Sequence, residues 1–206
     1  MKAMMIASIG IILLITQTVM QVYATHYYTG NRWSSYSIDV CYDSYSLKNI
    51  VLDDKGDQYS KVAQQLDIAR NDWNRLQSIF TLNKKDTCDN WAYATYRGDE
   101  FIAQTMLCIN WIGSCYYDSQ NMPSGNIVKA SITFNADDKW STSRQCASPY
   151  NKVGPWALNY VARHEFGHWV AFRHTSENSV MYHSYNCNYR DSIKPHDSYS
   201  LTIIYG

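Results

Sequence analysis

The sequence predicts an α+β fold, on three observations. Two segments alternate apolar and polar residues as half-buried strands do. Tyr36, Ile38, Val40 and Tyr42 do so within Ser35 to Tyr42, and Val128, Ala130, Ile132 and Phe134 within Ile127 to Asn135. After the polar turn Asp53-Asp54-Lys55-Gly56-Asp57, an apolar stripe at helical spacing (Val62, Leu66, Ala69, Trp73, Leu76, Phe80) marks a helix of about 20 residues. A second helix, Trp156 to Val170, opens after Gly154 with Pro155 suited to its first position.

In chain order, residues 1–24 read as an export signal. Lys2 is the charged start, Ile6 to Ile15 the apolar stretch and Val22-Tyr23-Ala24 the small-residue cleavage site. The stretch is interrupted by Ser8 and Gly10 and followed by Thr16, Gln17 and Thr18, which is short for a span of about 20 residues. The expected product is secreted; the alternative is a membrane anchor left uncleaved. A mature chain of roughly 180 residues suffices for one domain, 25–206, expected to be a monomer. Between the two patterned strands, Trp91 to Tyr96 and Phe101 to Asn110 also read as strands, and Tyr116 to Asn126 as a polar loop. The strand Ile127 to Asn135, shortly before the second helix, is a candidate open edge for an extended peptide. Asp197 to Gly206 reads as a short helix capped by Asp197, with Leu201 and Ile204 inward.

Composition narrows the function. Net charge is zero, without a basic stripe, which argues against nucleic acid and anionic membranes as partners. All six cysteines follow the cleavage point, so three disulfides are expected, with 15 possible pairings. Cys108 and Cys115 flank Gly113 and suit a small loop. The 18 tyrosines fit strands and exposed surface better than a dedicated sugar or peptide platform. Asp53, Asp54 and Asp57 lack the spacing of an EF-hand loop, so Ca²⁺ is an unsupported possibility and a solvated turn the expected role.

The chemistry concentrates in His164-Glu165-Phe166-Gly167-His168-Trp169-Val170-Ala171-Phe172-Arg173-His174. Histidines four apart lie about 40° apart around a helix, so both imidazoles point one way. Glu165 sits about 100° round, within reach of a water polarised by a metal on the pair. Zn²⁺ suits imidazole, and a catalytic site takes three protein ligands with one open position. His174 is the candidate third ligand. On an unbroken helix it would lie about 120° from His168 and about 9 Å along the axis, so the helix must stop near Ala171 and turn back.

This segment resembles the metzincin signature H-E-x-x-H-x-x-G-x-x-H in all but one defined position, the glycine being Ala171 here. That glycine serves a left-handed turn, which costs a residue with a Cβ about 1–2 kcal/mol. Ser179-Val180-Met181-Tyr182 resembles the metzincin Met-turn, and its form is similar to the matrixin branch. The resemblance implies a single catalytic domain with a twisted mixed sheet, two long helices and a short C-terminal subdomain, with the cleft between an upper part (about 25–171) and a lower part (about 172–206). It implies a secreted zinc endopeptidase acting on protein or peptide. His164, His168 and His174 would hold one Zn²⁺, Glu165 would be general base and then acid, and Met181 the apolar floor. Tyr182, His183 and Tyr185 would wall the pocket for the side chain after the cut; the alternative role for His183 is to stabilise the transition state. The matrixin cysteine-switch segment and second zinc site have no counterpart in this sequence. Two rival readings are a secreted zinc-binding interaction protein with a non-catalytic site, and a hydrolase of a non-protein amide.

Overall fold

The computed structural model describes residues 30–53, 56–75, 79–98, 100–110, 114–117, 122–142, 155–176, 178–185 and 192–206. The export signal, Asp54, Leu76, Gly113, Cys146, Gly154 and Cys187 lie outside the described residues. The α+β fold is as expected. Its strands are β1 (Asn31–Trp33), β2 (Ser37–Tyr42), β3 (Val51–Leu52), β4 (Thr81–Lys84), β5 (Trp91–Thr95), β6 (Ala103–Ile109), β7 (Ser114–Tyr116), β8 (Gly125–Asn135), β9 (Lys139–Ser141) and β10 (Trp156–Ala157). Its helices are α1 (Ser44–Leu47), α2 (Gln58–Arg75), α3 (Leu158–Trp169) and α4 (Pro195–Tyr205).

The main sheet runs β4-β2-β5-β8-β6-β7, with β1 also on β8. β4, β2, β5 and β8 are mutually parallel; β6 runs antiparallel to β8, and β7 to β6. The sheet is therefore mixed. A smaller parallel sheet, β10-β9-β3, sits beside it.

The expected open edge at Ile127 to Asn135 is corrected here. β8 pairs on one side with β6 and on the other with β1 and β5, so its backbone groups are already in ladders. Its inner half is buried on both faces, which is why Ser131, Thr133 and Asn135 are covered despite the alternation. Among the described residues the edge belongs to β6, whose Ala103–Met106 stretch has β8 on one side, while β7 covers Leu107–Ile109.

Two helix starts also differ from expectation. Trp156 and Ala157 pair with Trp140 and Ser141 in a parallel ladder, which demands extended backbone, so α3 begins at Leu158 and Pro155 precedes the strand. In α4, Pro195 takes the first turn and Asp197 is the third residue rather than the cap. Its Oδ2 accepts the Lys194 N–H at 2.9 Å, satisfying a backbone donor at the helix start.

The core joins the sheet to α2 and α3. Val62, Leu66, Ala69 and Trp73 face inward from α2 as the stripe required, and Phe80 is buried although α2 has ended before it. Every residue of α3 is buried, so this helix is fixed from all sides. Trp73 Nε1–H donates to the Arg163 carbonyl at 2.8 Å, and the Arg163 guanidinium pairs with Asp72, so α2 locks α3 at the residue before His164. Trp33 Nε1–H donates to the Trp169 carbonyl at 2.6 Å, satisfying an acceptor in the last turn of α3. Two disulfides are formed among the described residues, Cys41–Cys88 and the hairpin pair Cys108–Cys115. No helix among the described residues is long and apolar enough to cross a membrane.

Candidate metal centre

The turn after α3 decides whether a third ligand reaches the first two. Phe172 N–H bonds the Gly167 carbonyl at 3.1 Å and Ala171 N–H bonds the His168 carbonyl at 3.0 Å. Those two bonds form a Schellman motif with Ala171 at the left-handed position, φ 77°. The position costs alanine about 1–2 kcal/mol relative to glycine. Burying the Phe172 ring, edge-on to Trp73 at 5.6 Å, is worth about 1.5–3 kcal/mol and outweighs it.

Because the helix stops there, His174 swings back. Its Nε2 lies 3.0 Å from Nε2 of His164 and 3.2 Å from Nε2 of His168. Nδ1 of His164 faces the Val180 carbonyl at 2.7 Å, and Nδ1 of His168 faces the Phe172 carbonyl at 2.8 Å. A carbonyl only accepts, so each Nδ1 carries a hydrogen, which leaves Nε2 as the lone-pair position that the neutral ring turns to the shared centre. A proton on His174 Nε2 serves one of those lone pairs; a cation serves all three. Tetrahedral ligation at 2.0–2.1 Å separates donor nitrogens by about 3.3–3.4 Å, close to the observed spacing. Among the described residues, these three form the cluster able to hold a metal ion. His183 is not part of it; its Nδ1 donates to the Thr175 carbonyl at 3.2 Å. Asp53 and Asp57 are each engaged by hydrogen-bond donors of the chain. The Asp53 carboxylate accepts from Ser141 and Thr142, and the Asp57 carboxylate from Ser60.

Below the histidines lies the turn at 179–182, closed by Tyr182 N–H to the Ser179 carbonyl at 3.1 Å. Met181 is fully buried, with its sulfur against Gly167. Ser179 Oγ accepts the Met181 N–H at 2.9 Å and donates to Asp197 Oδ1 at 2.6 Å. Asp197 on α4 thus steadies the turn whose Val180 carbonyl orients His164. Burial raises the Asp197 carboxyl pKa, partly opposed by the hydrogen bond from Ser179.

Glu165 projects beside the cluster, and Thr105 Oγ1 on β6 lies 2.7 Å from its Oε2. A cleft of about 390 Å³, lined by Phe101, Gln104, Tyr116, Tyr117 and others, ends at Glu165, His168 and His174. A second hollow of about 170 Å³ lies past the histidines, walled by Ile102, Val161, His183 and Tyr185. Tyr185 is fixed there by its Oη accepting the Ala157 N–H at 3.0 Å and by edge contact with Trp156. His183 and Tyr185 line this hollow, and the Tyr182 ring packs against His183.

Sequence reading missed Gly167, Ser179 and Thr105. A glycine inside a helical pattern signals close approach, and Met181 is the approaching group. Thr105 is 60 residues from Glu165 and had no local signal.

A comparison with curated proteins finds no match. The family model described as Matrixin matches residues 116–206, a span containing β8, α3, the left-handed turn, the Met181 turn and α4. With three histidines converged and a glutamate beside them, the match and the geometry agree: residues 116–206 are similar to the matrixin family and carry a zinc metalloendopeptidase-type active site.

Proposed function

We propose that this chain is a secreted zinc endopeptidase, monomeric after removal of residues 1–24, that cuts proteins or peptides internally. The observation that carries the reading is the convergence of His164, His168 and His174 beside Glu165, at the end of a cleft open to the β6 edge. His164, His168 and His174 would hold Zn²⁺, the borderline ion that suits three imidazoles with one position open. When bound, it supplies Lewis-acid polarisation and lowers the pKa of water towards about 7.

The chain's own residues do the rest. The Ala103–Met106 edge of β6 offers backbone groups to an extended substrate, which can add as another strand. Glu165 accepts a proton from the attacking water and returns it to the leaving amine, acting as base and then acid. The hollow walled by Val161, His183 and Tyr185 takes the side chain after the cut. The rival reading of a non-catalytic zinc-binding protein draws on Ala171 and the Tyr-rich surface; the turn forms with alanine in place, so Ala171 does not favour it over the peptidase.

The test is metal removal and return. The mature chain should cut a denatured protein at internal bonds, identified by mass spectrometry of the products. A chelator should abolish cleavage and stoichiometric zinc should restore it. Release of single terminal residues, or cleavage indifferent to chelator, contradicts the proposal.

A further inference from the structure

Thr105 and Glu165 are both about nine-tenths or more buried, at 5% exposure each, on different elements. Thr105 Oγ1 lies 2.7 Å from Glu165 Oε2 and 3.2 Å from the Glu165 carbonyl. A hydroxyl has one hydrogen, and the shorter contact to a charged acceptor takes it. Threonine is stiff at χ1, and Thr105 is held in register opposite Ile132 in the β6–β8 ladder. The donor is therefore fixed before any substrate arrives.

We propose that Thr105 is the positioning residue for Glu165, tying Oε2 so that proton exchange falls to the carboxylate's other oxygen. This inference rests on the peptidase reading above. It adds a link between two parts of the reaction. The strand whose open edge pairs with the substrate backbone also carries the hydroxyl that orients the base, so substrate register and base orientation are set by one rigid element. Thr105 touches no reacting atom; it acts through Glu165.

The test compares the zinc-loaded wild type with Thr105→Val, Thr105→Ser and Glu165→Gln. Valine keeps the shape and removes the hydroxyl. Losing a hydrogen bond to a charged group predicts a fall in kcat of about 10- to 100-fold in Thr105→Val, with KM and bound zinc unchanged. Thr105→Ser should recover most of kcat. A second readout needs no activity: melting of the metal-free protein. Thr105→Val should lower the melting temperature less in a Glu165→Ala background than in the wild type, because its charged partner is already gone. Unchanged kcat in zinc-loaded Thr105→Val overturns the proposal, as does an equal melting shift in both backgrounds. So does a loss of activity that only follows lost zinc. If wild type and Glu165→Gln cleave equally, the peptidase reading fails instead, and the melting comparison still judges the Thr105–Glu165 bond.

Discussion

The sulfur of Met181 occupies the space beside Gly167: a Cβ at position 167 would stand 2.2 Å from Sδ and 3.0 Å from Trp73 Cζ2. The helix that carries two histidines and the turn beneath them meet at a point where only a hydrogen fits. Gly167→Ala should therefore destabilise by about 1–3 kcal/mol through overpacking, and should lower zinc affinity because Val180, beside Met181, orients His164. Denaturant unfolding and zinc titration check both. An alanine variant as stable as wild type, with full zinc affinity, would show that the turn is free to shift.

Ala171→Gly tests the adjoining turn. Glycine removes about 1–2 kcal/mol of left-handed strain but also a buried methyl worth about 0.8 kcal/mol, so the balance is close to zero or slightly favourable. Stability and activity should be unchanged or slightly higher. Ala171→Val, with a branched side chain at φ 77°, should instead unfold the turn and lose zinc. Zinc content after gel filtration separates the two outcomes.

Asp197 gives the turn a pH signature. Its folded carboxyl holds its proton more tightly than the ordinary value of 3.8, chiefly through burial. The folded state therefore binds more protons than the unfolded state between 3.8 and the raised value, and stability falls as pH rises through that window. Unfolding of the metal-free protein, compared with Asp197→Asn at each pH, isolates the group. The wild type's stability relative to the variant should decline from acid towards neutral pH. A rise would show that the hydrogen bonds from Ser179 and Lys194 outweigh burial.

Zinc should stabilise the fold, since the converged histidines exist only when the turn at Ala171 is made. At free zinc 100 times its dissociation constant the gain is about 2.7 kcal/mol, read as a raised melting temperature of the metal-free protein. His174→Ala should lose most of that gain. An equal zinc response in His174→Ala would place the ion elsewhere.

What the sequence disclosed, and what it did not, follows from range. His164, Glu165 and His168 share about one helical turn, so spacing alone oriented them. The return of His174 is legible because a helix cannot otherwise reach, and alanine in the glycine position of the motif marks Ala171 as the strained residue. Long-range pairing was not legible. The alternation in β8 cannot tell a half-buried strand from a central one, so it does not reveal that β8 is paired on both sides. Pro155 read as a helix start because nothing local reveals that Trp156 pairs with Trp140. Asp197 read as a cap, while its second role, holding Ser179 beneath the metal centre, depends on how α4 folds back.

The most direct measurement is the cleavage rate of wild type against Glu165→Gln at equal bound zinc. Glutamine keeps the size of the side chain and removes its ability to exchange a proton. The variant should retain one zinc per chain and lose about 100-fold or more in kcat with little change in KM. Equal rates from the two zinc-loaded proteins would mean that the site holds metal without performing hydrolysis.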